Sequence, residues 1–388
     1  MGSPAKKAQT PAPKSPTPAP KSPKSPTPAP KSPTPAPTSP TPGPASPGAG
    51  VADPLSGVHW AEQGPLQDDE DDGDSTIGSD AASSTASISS SILHYRSLNG
   101  RTYHSDSVTD GEYWGPNDDK QNEMLDIFHH AMTICLDGTL YNAPLSEKIE
   151  NAIDLGTGTG LWAIDFADKF PNCTVMGTDI SPIQPGWVPP NIRFEIDDYN
   201  KEWTYKSGFF DYVHLRWLTC TVKDWPAFYR EAYRVCKPSG YIEHMDFGGV
   251  IECDDGSLDG AVRAVHQWGP MWHAAGRKVG YEVDMLSNNF IENGMKEAGF
   301  VNTVVKDYKV PLSPWSTDPK LKELGLFLRA AICQDLEGSL QFMWGKMMGW
   351  TPEMIRSYAQ HFTSELRNMD LHPYFVFRVV YGQKPLDA

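Results

Sequence analysis

The chain has 388 residues, a formal net charge of −16 and 39% hydrophobic residues, enough apolar content for one substantial core. The negative balance disfavours direct nucleic-acid binding through phosphate neutralisation. No apolar run is long enough to span a bilayer, no secretory signal opens the chain and the six cysteines show no C-x-x-C spacing, so reduced thiols and a cytoplasmic or nuclear location, with no membrane contact, are expected.

Residues 1–90 read as a disordered Pro/Ser-rich and acidic tail, and residues 91–388 as the folded domain. The heptad Thr-Pro-Ala-Pro-Lys-Ser-Pro stands at 10–16, 17–23 and 27–33, with a variant copy at 34–40. Such proline density favours extended polyproline II over any packed core. Residues 1–50 hold six lysines and no acid, whereas 51–95 hold nine acids and no lysine or arginine. A basic arm beside an acidic patch suits contact with other proteins; the Ser-Pro and Thr-Pro steps beside lysines suit proline-directed kinases, but a plain solvated spacer without regulation is the preferred reading of them. Folding is expected to begin near Ile92 to His104.

Further along, 120–136 carries Met124, Leu125, Ile127, Phe128, Met132 and Ile134 at helical spacing. His129 and His130 within it read as helix-face residues, since nothing nearby forms a metal set; no metal is expected. Residues 151–160, Asn-Ala-Ile-Asp-Leu-Gly-Thr-Gly-Thr-Gly, read as a buried strand entering a glycine turn that opens a helix. Gly156, Gly158 and Gly160 let the backbone approach a ligand, and the helix start presents unpaired N–H groups. The spacing is not the G-x-G-x-x-G of a dinucleotide site. Asp154, two residues before the first glycine, opposes a pyrophosphate but suits a ligand ammonium group.

The pattern D-x-G-x-G-x-G resembles motif I of class I S-adenosylmethionine (SAM) methyltransferases. The strands after it extend the resemblance. Thr174–Asp179 reads as a second strand ending in a carboxylate where a ribose diol would lie, which makes Asp179 the ribose candidate. A third strand, Ile192–Ile196, runs into Asp197-Asp198-Tyr199; methyltransferases read the adenine amino group with a carboxylate here, and Asp198 fits better than Asp197. Strands come next at Phe210–Leu215 and Tyr241–His244 with a helix near 225–235 between them, the alternation of a parallel sheet. Trp162 and Trp217 read equally as core or as adenine-stacking residues.

The chain is similar in particular to the LaeA-like methyltransferases of filamentous fungi over about 95–385. The carrying residues are Tyr113-Trp-Gly-Pro-Asn-Asp118, Ile153 through Ala167, Gly177-Thr-Asp-Ile-Ser-Pro-Ile-Gln-Pro185, Phe194-Glu-Ile-Asp-Asp198, Asp224-Trp-Pro226, Trp315 and Tyr381-Gly-Gln-Lys-Pro385. The resemblance implies an α/β fold: a Rossmann-like seven-stranded class I methyltransferase sheet with SAM across the strand tips and a helical N-terminal lid that includes Tyr113 and Trp114. Strands at 301–310 and 374–381 then complete the sheet, the last inserted antiparallel, with helices near 319–333 and 336–367.

The expected cofactor site is Tyr113, Asp154, Gly156, Thr157, Gly158, Gly160, Asp179, Asp198 and Tyr199. Because the sulfonium already activates the methyl group, catalysis needs placement and exclusion of water, with a base only for a hydroxyl or protonated nitrogen. Glu243 and His244, at the end of the fifth strand, are the base candidates by topology. Trp268, Trp272, Trp344 and Trp350 offer flat apolar surface for a small-molecule acceptor, expected to be a secondary metabolite. The resemblance also carries an alternative, a nuclear regulator of secondary-metabolite gene expression acting with protein partners; a cofactor-binding scaffold without turnover sits badly with an intact motif I.

Overall fold

The computed structural model describes residues 2, 54–64, 66, 91–109 and 113–388. A short helix, α1 (Gly57–Gln63), precedes an antiparallel ribbon of β1 (Arg96–Leu98) and β2 (Arg101–Tyr103). Helix α2 (Asp119–Cys135) starts where the Asp118 carboxylate accepts the Gln121 N–H, and the chain leaves it through Asp137 and Gly138, both at positive φ.

The alternating region then runs through β3 (Asn151–Leu155), α3 (Leu161–Lys169), β4 (Thr174–Asp179), β5 (Ile192–Ile196), β6 (Phe210–Arg216), α4 (Trp225–Val235) and β7 (Cys236–Phe247). Strands β3 and β6 are buried along most of their length, as befits central parallel strands covered on both faces. The remainder comprises α5 (Ala264–Val279), a 3₁₀ turn at Ser287–Asn289, α6 (Phe290–Ala298), β8 (Val301–Pro311), α7 (Pro319–Gln334), α8 (Leu336–Leu340), a π-helical turn at Gln341–Met347, α9 (Pro352–Arg367) and β9 (Tyr374–Gln383).

Seven strands form one sheet in the order β5-β4-β3-β6-β7-β9-β8. The first five are parallel, and β9 runs antiparallel between β7 and β8, as expected for the last strand. Strand order reverses between β3 and β6, and ligands of open α/β sheets bind in the crevice at such a switch point. On one face α3 contributes Trp162 and Phe166 to the core, and on the other α4 and α6 contribute Phe228, Tyr229 and Met295. A third, strongly aromatic core joins α2, α5, α7 and α9 to the β9 end of the sheet.

Two expectations need correction. The single helix at 336–367 is three pieces: Gly349, at φ 78°, turns the chain, after which the Thr351 hydroxyl caps a new helix that begins at Pro352. The expected tail is not structureless at 54–64. Trp60 is only 2% exposed and meets Tyr358 edge to face at 5.2 Å, while the Ser357 hydroxyl donates to the Trp60 carbonyl at 2.6 Å. The Leu55 N–H is bonded to Gln267 Oε1 as well. A tryptophan and a leucine surrounded by polar sequence suffice to seat this short segment on α5 and α9. The proline repeat and the acidic run lie outside the described residues. No described helix is long and apolar enough to cross a membrane.

Candidate active site

A cavity of about 910 Å³, counted out to its mouth, opens at the β3/β6 switch point. Its floor is the glycine loop. Gly156, Gly158 and Gly160 stand at φ 68°, 59° and 84°, so each adopts a left-handed backbone that side chains disfavour. A Cβ would also crowd two of them, lying 2.7 Å from a Leu218 methyl at Gly156 and 2.5 Å from the Phe194 ring at Gly160, so those side chains would have to move. At Gly158 the nearest atom is a Leu125 carbon 3.6 Å away. Gly158 is therefore where the loop backbone lies open to the cavity.

Two carboxylates flank the loop. Asp154 accepts the Thr157 hydroxyl at 2.6 Å and the His214 Nδ1–H at 2.7 Å, its register partner on β6. Asp179 accepts the Gly158 N–H at 2.8 Å and the Ser181 N–H at 3.0 Å, which ties the tip of β4 to the glycine loop. Burial pushes the Asp179 carboxyl up to about 6, against these backbone donors. It nonetheless keeps accessible surface, because that surface faces the cavity.

The third side is cationic. The His214 ring lies flat on Trp162, centroids 3.5 Å apart, and burial lowers its pKa. Arg216 Nη2 donates to His129 Nδ1 at 3.1 Å. Because a guanidinium only donates, that contact leaves the His129 proton on Nε2, where Asp165 accepts it at 2.9 Å. Burial lowers His129 too and pulls the Arg216 guanidinium down to about 10. Strand alternation puts His214 and Arg216 on one face of β6.

The covering wall comes from α2 and the chain before it, namely Tyr113, Trp114, Leu125, Phe128 and His129. Burial raises the Tyr113 phenol. At one end Tyr113, Ile180, Tyr199 and Thr221 also line a smaller cavity that contains Asp198. Asp198 accepts the Thr109 hydroxyl at 2.5 Å and the Asn200 N–H at 2.9 Å. Asp197 lines neither cavity and accepts from the Tyr205 phenol and the Asp198 N–H instead.

At the other end Trp114, Phe128 and Trp217 are shared with a second cavity, about 750 Å³ when the open space at its mouth is included. Its remaining wall comes from α2, β7, α5, α7, α8, β9 and loop residues Thr219, Gly249 and Val283, and includes Trp268, Trp272, Leu328 and Phe377. No ionisable side chain lines it; Thr219 and Ser339 are the hydroxyl groups on its wall. Trp344 and Trp350 do not reach it: they pack on Tyr358 in the core beneath α1, with Trp344 fully buried.

The structure thus brings together Tyr113, Asp154, Gly156, Thr157, Gly158, Asp179 and Tyr199, with Gly160 capping α3 behind the loop and Asp198 in the adjoining cavity. It does not bring Glu243 and His244 there, which corrects the base expectation. Glu243 accepts the Asn142 N–H at 2.9 Å and the Ala143 N–H at 2.6 Å, and burial pushes its carboxyl up to about 7. His244, fully buried, is bonded at Nδ1 to the Tyr229 phenol and at Nε2 to Asp246, and it stacks on Trp225. Both lie on β7 in register with His214 and Leu215 of β6, and what keeps them from the cavity is that their side chains are taken up by these partners. His129, read in the sequence as a helix-face residue, lines the cavity from α2. His214 and Arg216 have no sequence assignment; the alternation Tyr212, His214, Arg216 along a strand beside motif I is the signal that points to them. Among the described residues no group of side chains could hold a metal ion.

A family model described as a methyltransferase domain matches residues 127–305. The chain is 34% identical over 310 residues to methyltransferase pytC of Aspergillus terreus, covering 79% of this chain and 93% of that protein. It is 32% identical over 313 residues to the secondary metabolism regulator laeA of Aspergillus fumigatus, covering 80% of this chain and 82% of that one. Against the protein-methionine methyltransferase laeA of Emericella nidulans it is 30% identical over 311 residues, with coverage of 80% and 82%.

Proposed function

The chain belongs to the LaeA-like SAM-dependent methyltransferases, and from that footing we propose that it methylates a small, largely apolar acceptor seated in the tryptophan-walled cavity beside its cofactor site. SAM supplies the activated methyl group. In our reading the adenine lies toward Asp198 and Tyr199, Asp179 takes the ribose hydroxyls, and the amino-acid part rests on Gly156, Thr157 and Gly158 with Asp154 near its ammonium group. Tyr113 closes over the cofactor. That orientation leaves the sulfonium end toward Trp114, Phe128 and Trp217, the residues the two cavities share.

The observation that carries the acceptor class is the second cavity itself. A wall without an ionisable residue desolvates its guest and offers no partner for a charge, which suits an uncharged, flat, apolar molecule. The net charge of −16 argues against nucleic acid in the same role. An oxygen acceptor loses its proton as the methyl arrives; with Glu243 and His244 walled off, that proton goes to water or to His214, whose Nδ1 is held by Asp154.

A second reading draws on the relative named as a protein-methionine methyltransferase, because a methionine side chain is also apolar and uncharged. Labelled methyl transfer from SAM into a fungal cell extract separates the two. Label in organic-soluble small molecules is the expected result, and label confined to protein would overturn the acceptor proposal. Ala331→Phe, which adds bulk to the second cavity, should lower transfer at least tenfold while SAM affinity stays within about twofold.

A further inference from the structure

Arg216 is a buried cation in the cofactor cavity with no anion paired to it among the described residues. Arg216 sits deep at the tip of β6, yet keeps accessible surface on the cavity it lines. A guanidinium offers five donors. Its hydrogen-bond partner here is His129 Nδ1, and among the described residues no carboxylate pairs with it. His129, with its proton committed to Asp165, supplies a lone pair but no negative charge. Asp154 and Asp165 reach Arg216 only through longer-range attraction. An unpaired buried charge is strongly unfavourable, and proteins retain one where a ligand completes it.

We propose that Arg216 is the clamp for the cofactor's methionine carboxylate. The inference rests on the cofactor orientation proposed above and adds the residue that reads the amino-acid end. Within SAM the carboxylate is the anionic group. Asp154, placed near the ammonium in that orientation, is paired in register with His214, two residues before Arg216 on the neighbouring strand. Parallel strands lie about 4.8 Å apart and two residues advance a strand by roughly 6.6 Å, so the backbones of Asp154 and Arg216 stand about 8 Å apart, which leaves room for an ammonium group and a carboxylate of one amino acid between the two side chains. A guanidinium suits the task because its planar fork binds a carboxylate through two parallel bonds. His129, fixed by Asp165, accepts one N–H of that fork and leaves the others for the ligand.

Calorimetry on the full chain, with S-adenosylhomocysteine and its decarboxylated analogue, tests this. The wild type should prefer the carboxylate-bearing ligand by about tenfold to hundredfold, the range of a charge-assisted pair. Arg216→Gln should remove that preference by weakening S-adenosylhomocysteine alone, and Arg216→Lys should leave part of it. Equal weakening of both ligands in Arg216→Gln, or a wild type that does not discriminate, overturns the clamp. The wild-type comparison decides the matter even where a variant fails to fold. A wild type that binds neither ligand would instead refute the cofactor cavity, a distinct result.

Discussion

Replacing Asp179 with alanine tests the cofactor reading where the geometry is most explicit. The carboxylate is held by the Gly158 and Ser181 N–H groups and faces the cavity. Two ribose hydroxyls that lose a charged acceptor forfeit about 1.5 kcal/mol each at the low end, which gives about 3 kcal/mol, or roughly a hundredfold in affinity. The freed Gly158 N–H loosens the loop and adds to the loss. Asp198→Ala removes one adenine contact and should cost about tenfold. Asp197→Ala should cost less than about threefold, since that side chain serves Tyr205 and lines neither cavity.

The same carboxyl sets the pH dependence. Burial raises it to about 6, so its contribution to the stability of the unliganded chain is present at low pH and is lost as pH rises through about 6. Binding runs the other way, because ribose hydroxyls need the ionised acceptor. Wild-type affinity for S-adenosylhomocysteine should therefore fall as pH drops from about 7.5 to 5, and Asp179→Ala should flatten that slope. Titration calorimetry across the window reads both. An Asp179→Ala protein that binds as the wild type does, or an Asp197→Ala loss as large as that of Asp179→Ala, would refute the assignment.

Glu243→Ala should leave the buried Asn142 and Ala143 N–H groups without their acceptor, costing about 2–4 kcal/mol of stability while the folded fraction keeps its turnover; lost turnover at unchanged melting temperature would restore Glu243 as a base. A chain beginning at residue 66 should melt several degrees below one beginning at residue 54, because Trp60 buries on the order of 200 Å² against its neighbours and the ordering of its segment offsets only part of that gain. Identical melting curves would show that the segment does not dock.

Legibility in the sequence depends on the range of the interactions. Motif I, the Asp179 tip and the Asp197-Asp198-Tyr199 turn are local patterns in which one short stretch supplies strand, turn and side chain together, and each lies where its motif indicates. Glu243 and His244 mislead because topology gives a residue's level on the sheet but not the partners that its side chain meets. Glu243 stands level with His214 and Asp154, yet its carboxylate is taken up by the Asn142 and Ala143 N–H groups, and His244 is held between Tyr229 and Asp246. Arg216 is silent in sequence for a related reason. An arginine at the end of an apolar strand reads as a solvent-facing terminus, and only the fold reveals that α2 lies over it. Trp60 is hidden by composition, since one buried tryptophan hardly alters the average of a polar segment.

The two ends of the site differ in the same way, and that difference bears on what can vary among relatives. The polar end is built from the tips of β3, β4 and β6 and the turns after them, so changing one residue disturbs the loop that binds the cofactor. The apolar end is assembled from α2, β7, α5, α7, α8, β9 and the segments between them, with contributors from Trp114 to Phe377 that share no motif. Its residues can be exchanged one at a time without touching a hydrogen bond of the glycine loop. If the acceptor sits in this cavity as proposed, exchanging Trp268, Trp272, Leu328 and Ala331 for the counterparts in a relative should transfer acceptor preference while the cofactor dissociation constant stays put.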